Sequence, residues 1–378
     1  MRKKNYAIRY RLMSVLMVMC MISSCGQYHS EFYHPDTIIR CPEDDLTGSE
    51  LNCRVLDTFD GDISDMICFD GSIIFQIVDS TIFKVYDIAT GEITTSFADI
   101  GHAKNEFETA PKCLYKNNTD KNKLYAMEQN GLLTKVIDLN QSIQTGKCVV
   151  SDVLKHPNNA CGMFYSTFYD DNGSIIFNKD VSYIDARDNT FDPPSHGIIK
   201  NNNTISSSVF PQAIHSKIPN NVFIAYANKL VVTPNKKYMA NVFTYSDIIN
   251  IYDIENKEDI AILGGGVKDF AFFQTLNSKD DILNNISFFH FTACGNDKYL
   301  FALKTSMPYK TFDEMFKIGN FSEIHQKLLI YDWNKRTISE MRVNHNYPIS
   351  KMVYEEQSGK LYAIDVKNQL VEFDVNLK

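Results

Sequence analysis

One ending recurs six times along this 378-residue chain: an apolar or aromatic residue followed by Asp, closing a strand-like run. It occurs in FKVYDIATG at Asp87, TKVIDLN at Asp138, VSYIDARDN at Asp185, INIYDIEN at Asp253, LLIYDWNK at Asp332 and LVEFDVN at Asp374. The intervals are 51, 47, 68, 79 and 42 residues. The short ones match a four-stranded propeller blade, about 40–50 residues, and the two long ones require insertions. An Asp at a strand end can accept backbone N–H bonds from the turn that follows. The six Asp residues therefore read as structural repeat turns, and none as catalytic.

Between these endings lie runs of five to eight apolar residues, rich in Ile, Val, Phe and Tyr and bounded by Asn, Asp or Gly, the pattern of strands and turns. Five blades can be written out in order; the third would use MFYSTFY, SIIFN and VSYID as its first three strands. The last has only ISKMVYE, KLYAIDV and LVEFDV, and LNCRVLDTF (51–59) would supply its missing strand. The expected fold is all-β: a six-bladed β-propeller over residues 50–378, its ring closed by strand 51–59 completing the C-terminal blade. Such closure leaves no unpaired edge. Insertions are expected at about 186–221, which is polar and rich in Asn and Ser, and at 307–326, whose centre suits one or two helical turns.

The N-terminus is organised differently. Arg2, Lys3, Lys4, Arg9 and Arg11 precede an apolar run from Met13 to Ile22, too short to span a bilayer, which needs about 20 residues. The run ends in Ile22-Ser23-Ser24-Cys25, which resembles the bacterial lipobox. The resemblance implies a lipoprotein signal peptide at 1–24, cleavage before Cys25 and lipidation of that residue. Residues 25–49, with Pro35, Pro42 and Gly48, then read as a flexible tether. The membrane becomes a partner through the lipid anchor, and the expected address is the cell envelope, at the outer membrane, on its periplasmic face or the cell surface. Without the signal's five basic residues, 33 Lys and Arg face 46 Asp and Glu. That acidity argues against nucleic acid, whose binding relies on clustered cations.

Further residues carry a family resemblance. Ile100-Gly101-His102-Ala103-Lys104-Asn105-Glu106-Phe107 resembles a G-x-G-P-x-E-F turn, and Gly264-Gly265-Gly266-Val267-Lys268-Asp269-Phe270 echoes it. With the lipobox and the C-terminal IYDWNKRTI and SGKLYAIDVKNQLVEFDV, residues 50–378 look like the TolB-like six-bladed propeller lipoproteins of Gram-negative, Bacteroides-type bacteria. His102-Ala103-Lys104 departs from the Gly-Pro of that family. The resemblance implies a fold and an address and supplies no active residues.

Spacing along the chain assigns no recognised catalytic site. G-x-S-x-G, H-E-x-x-H and P-loop patterns do not occur, and Gly264-Gly265-Gly266 reads as a turn between blades. Asp60-Gly61-Asp62-Ile63-Ser64-Asp65 and Asp170-Asp171-Asn172-Gly173 have calcium-like spacing without the remaining EF-hand ligands, and read as hairpin turns. No cofactor is assigned, and calcium is the one ion these loops leave open. His290, in FFHFTA, reads as a core or channel-lining residue. Of the nine cysteines none forms C-x-x-C, and Cys41–Cys53 is the pair to test for a bridge. The expected function is a membrane-anchored exported lipoprotein acting as a non-enzymatic binding or scaffold propeller for a protein or glycan partner. The alternative is a metal-dependent hydrolase or lactonase with its site at the propeller axis.

Overall fold

The computed structural model describes residues 33–41, 49–78, 81–116, 120–129, 132–156, 164–169, 173–179, 182–185, 190–192, 195–200, 203–206, 224, 226–267, 272–273, 275–276, 278–321, 323–375 and 377. The expected signal peptide 1–24 and Cys25 lie outside the described residues, as does much of the insertion at 186–221. Two strands, β1 (Thr37–Arg40) and β2 (Glu50–Thr58), precede a meander of β3 (Ile63–Phe69), β4 (Ser72–Ile77), β5 (Thr81–Asp87) and β6 (Glu92–Asp99). Its first hairpin turns on Asp70 and Gly71, with φ of 45° and 73°, a pair of left-handed residues that suits the right-handed twist of the flanking strands.

A second meander contains β7 (Cys113–Lys116), β8 (Lys123–Met127), β9 (Leu133–Asp138) and β10 (Val150–Lys155), with helix α1 (Leu139–Thr145) between its last two strands. The third sheet corrects the sequence reading. It begins with β11 (Phe164–Tyr169) and β12 (Ile175–Lys179), but β13 (Ser182–Asp185) leaves it and pairs with β14 (Thr190–Asp192). Its third and fourth places are taken by β15 (Ser195–Lys200) and β16 (Asn203–Ser206), from the stretch read as an insertion. VSYID has strand propensity, but the partner edge of β12 goes to the later segment.

The fourth sheet is β17 (Asn228–Val232), β18 (Tyr238–Phe243), β19 (Ile248–Asp253) and β20 (Glu258–Leu263). The stretch expected as a flexible tether contributes a fifth strand: β1 lies parallel to β20, Thr37 opposite Ile260 through Arg40 opposite Leu263. After α2 (Lys279–Asn285) come β21 (Ser287–Gly295), β22 (Tyr299–Pro308), α3 (Tyr309–Ile318), β23 (Lys327–Asp332) and β24 (Thr337–Asn344). The helical turns expected within 307–326 are α3. The chain ends in β25 (Ile349–Glu355), β26 (Lys360–Asp365) and β27 (Gln369–Asp374). Strand β2 lies beside β27, antiparallel, with Cys53 opposite Phe373 and Thr58 opposite Gln369. Its first residues, Glu50–Asn52, also run parallel to Arg342–Asn344. The last two groups of strands thus form one eight-stranded sheet.

The apolar runs are continuous because the sheets are covered on both faces. Along β22, Tyr299, Phe301 and Leu303 pack toward Leu361, Ala363 and Val371, while Leu300 and Ala302 pack toward Ile249, Ile251 and Ile262. Each fully buried side chain of this kind contributes about 1.5–3 kcal/mol. Phe83 and Phe97 meet Leu124 and Ile137 of the second meander. Tyr115 and Met127 meet Phe168 and Ile176 of the third sheet and Leu230 and Met239 of the fourth. Ile63, Ile73 and Phe75 pack with Tyr362, Ile364 and Leu370.

Two glycine motifs take their form from close approach. A Cβ on Gly264 would sit 1.9 Å from the Asp247 carboxylate, and one on Gly266 2.4 Å from the Phe289 ring. Asp247 itself pairs with Lys304 at 3.1 Å, both buried. At Gly101 a Cβ would meet Glu106 Oε2 at 2.0 Å. That oxygen accepts the Ala103 N–H at 3.0 Å, and Gly101 N–H donates to Phe107 O at 2.8 Å. The turn closes without the Gly-Pro of the resembled family.

Candidate functional site

The first strands of the sheets lie against one another: β25 beside β3, β3 beside β7, β7 beside β11, β17 beside β21 and β21 beside β25. At their carboxyl ends a cavity of about 480 Å³ opens. Phe69 and Asp70 enter it from β3 and its turn, Lys116 from β7, Asn296 from the β21–β22 turn, and Tyr354 and Glu355 from β25. Four sheets contribute, through the ends of β3, β7, β17, β21 and β25.

The turns hold these groups in place. Glu355 accepts backbone N–H bonds from Gln357 at 3.0 Å and Ser358 at 2.6 Å. Burial raises its pKa, but those bonds and the nearby Lys116 outweigh it, and the carboxyl is held below its ordinary value. Asn296 Oδ1 accepts from Lys298 and Tyr299 N–H at 2.9 and 2.7 Å. Lys116 Nζ donates to Cys68 O at 2.8 Å and stands 5.1 Å over the Phe69 ring. Burial, the main cause, and the Lys121 charge push its ammonium pKa down, against Glu355 and Glu356. The mouth thus presents a desolvated cation beside carboxylates, side-chain amides and tyrosines.

On the same strands are the thiols of Cys68, which also lines the cavity, and Cys294. Burial raises both, Cys294 to about 12, so neither is a thiolate nucleophile near neutral pH. Lys351 of β25 is lowered by burial and by Lys229 of β17, against Asp65 and Asp62. Among the described residues no three His, Cys, Asp or Glu side chains gather to hold a metal ion.

None of the six repeat Asp residues borders this cavity. Asp87 accepts the Thr90 N–H at 2.7 Å, Asp138 caps α1 through Gln141 N–H at 3.0 Å, Asp253 accepts from Glu255 and Asn256 at 3.1 and 3.0 Å, and Asp332 from Asn334 and Lys335 at 3.0 and 2.9 Å. Asp185 ends the separate hairpin strand β13. Asp374 is exposed, with Lys360 Nζ at 3.8 Å, and in the preceding β26–β27 turn it is Asp365 that accepts the N–H groups of Lys367 and Gln369. The acidic run at Asp60–Asp65 joins β2 to β3 across two sheets, and so is a crossover rather than a hairpin turn. Gly173 does lie between hairpin partners β11 and β12, whereas Asp170–Asn172 fall outside the described residues. His290 is buried, its Nδ1 2.7 Å from Phe243 O, and burial lowers its pKa. Cys53 is a free thiol, so the expected Cys41–Cys53 bridge is not formed. The mouth was missed because its residues share no local spacing; the only signal was that each follows a first strand.

No family model matches the sequence, and no curated protein matches it. Among solved structures, the β-propeller domain of Myceliophteria thermophila Cps50 (Swd1) superposes with a TM-score of 0.42 at 11% identity, covering 86% of this chain and 100% of that one. A member of the DUF4221 family from Bacteroides vulgatus superposes with a TM-score of 0.52 at 10% identity, covering 87% of this chain and 97% of that one. That likeness is one of fold alone: the chain is mostly β, built of several antiparallel sheets, in the arrangement of the Bacteroides protein.

Proposed function

We propose that this chain is a six-bladed β-propeller, closed by β2, whose axial mouth binds a glycan. The closure is supported by the pairing of β2 with β27 and by the packing of Ile63 and Phe75 against Tyr362 and Ile364. We also infer a TolB-like lipoprotein, acylated at Cys25 and displayed from the outer membrane; the lipobox resemblance supports this part. One observation carries the binding reading. The 480 Å³ cavity gathers Asn122, Asn140, Asn296 and Gln357 with Glu355, Lys116 and Tyr354 from separate sheets. Side-chain amides and charges that face a cavity match the dense hydroxyl groups of a sugar, and a tyrosine ring offers an apolar face to stack on.

A glycan array followed by calorimetry tests this. An oligosaccharide should bind, and Lys121→Ala with Glu356→Ala should weaken it at least tenfold, while Asp374→Ala leaves it unchanged. Binding that ignores the first two substitutions, or an array with no ligand, would overturn the reading.

A further inference from the structure

A second group of reactive side chains lies away from the mouth, where β2 passes between β24 and β27. Cys53 Sγ is 3.3 Å from His345 Nδ1. His345 Nε2 is in turn 2.8 Å from Asp365 Oδ2. The three residues come from β2, the residue after β24 and the end of β26. Asp365 is immobilised, since its Oδ1 accepts the Lys367 and Gln369 N–H groups at 2.7 and 2.9 Å. Its side chain is fully buried and that of His345 nearly so, whereas Cys53 is partly exposed. None of the three lines the axial cavity.

The order of the contacts sets the chemistry. With the Asp365 oxygen accepting at Nε2, the imidazole hydrogen sits there and the Nδ1 lone pair faces the thiol, which also reaches Asn344 O at 3.4 Å. A thiol, a base aimed at it and a buried group that orients the base form a nucleophile relay. Burial and then the Asp365 charge push the thiol pKa up, against its own backbone N–H. The thiol is therefore neutral at rest, and its proton moves toward Nδ1 as the sulfur attacks. Beside the imidazole runs a file of rings: Tyr347 is 6.0 Å from His345, Phe321 6.3 Å from Tyr347, and Phe316 5.7 Å from Phe321. It ends at the exposed Phe316 of α3, near the exposed Ile318.

We propose that Cys53, His345 and Asp365 form an acyl-transfer site for esters or thioesters with an apolar acyl chain, the ring file carrying the chain. His345 takes the thiol proton as Sγ bonds to the carbonyl carbon. The carbon–oxygen (or carbon–sulfur) bond to the leaving group breaks, and the alcohol or thiol leaves with that proton. A water molecule, deprotonated by His345, then cleaves the acyl-enzyme to a carboxylic acid and the free Cys53 thiol. Asp365 acts through His345 and is a positioning residue.

The full chain is mixed with 4-nitrophenyl acetate or 4-nitrophenyl octanoate, and nitrophenolate release and the acylated peptide are followed. One equivalent should be released in a burst, the label should sit on Cys53, and the octanoate should react several-fold faster. Cys53→Ser should lose the burst. His345→Asn should slow acylation at least tenfold, the lower end for a general base being about 10²-fold, and abolish the solvent isotope effect on it. Nitrogen NMR should find the His345 hydrogen on Nε2 in the parent chain and lose that preference in Asp365→Asn. Circular dichroism and total thiol titration in denaturant guard against misfolded variants, and His345→Gln replaces His345→Asn if the latter unfolds. Label on another cysteine, or a folded His345 variant that acylates at the parent rate, overturns the site. Equal rates for the two esters overturn the apolar acyl assignment.

Discussion

Asp87, Asp253 and Asp332 meet one local demand: a strand must reverse within four residues, and the turn's N–H groups need an acceptor. The residue four places on closes each reversal in the left-handed region, as Gly91 (φ 72°), Lys257 (φ 57°) and Arg336 (φ 55°). A side chain there costs about 1–2 kcal/mol, and glycine recovers part of this less its own entropy loss. Lys257→Gly should therefore stabilise the protein by about 0.5–1 kcal/mol in urea unfolding. Arg336→Gly should bring no gain, because its guanidinium holds both Glu258 carboxylate oxygens, at 2.8 and 2.5 Å. A destabilising Lys257→Gly would sink this account. At Asp374 the same two letters end a strand whose neighbour, β2, arrives from elsewhere in the chain.

At the scale of elements, the short strand β1 departs furthest from its sequence. Nothing in its four residues asks for a partner, yet Tyr33 just before it is buried and its hydroxyl accepts from Asn250 Nδ2 at 2.8 Å. Asn250 also donates to Asp259 at 2.5 Å, and Asp259 N–H donates to Asp36 at 2.9 Å. Burial, with the Asp36 charge adding to it and the Asn250 bond opposing, raises Asp259 to about 7. Undocking would return it toward the usual value of about 3.9. The docked state thus binds a proton more tightly, so docking is strongest below about pH 4, weakens as pH rises toward 7, and then levels off. Hydrogen-exchange protection of Ile38–Arg40 should be lower at pH 8 than at pH 5.5, and Asp259→Asn should flatten the difference. Equal protection at both values in the parent chain would refute the coupling. The replacement of β13 by β15 in the third sheet is of the same kind, a competition between segments for one edge.

Across the whole molecule, stability rests on sheets stacked face to face, and Trp333 shows how. Its ring stacks on Tyr238 of the neighbouring sheet at 5.3 Å, 4° from parallel, and its Nε1 donates to Asn296 O at 2.9 Å. Trp333→Ala should cost about 3–5 kcal/mol; Trp333→Phe should lose less, chiefly the bond to Asn296. Denaturant unfolding checks both, and a loss under about 1 kcal/mol for the alanine variant would mean the sheets do not depend on this contact. The repeat and the apolar runs were readable from residue types alone, because strand period and turn chemistry act over a few neighbours; the strand beside β27 followed from counting three strands where a blade needs four. The mouth, the docked β1 and the meeting of Cys53 with His345 were not, since the last pair stands 292 residues apart in sequence. Such contacts arise only when sheets pack and bring strand ends to one level, a long-range outcome that no local pattern encodes.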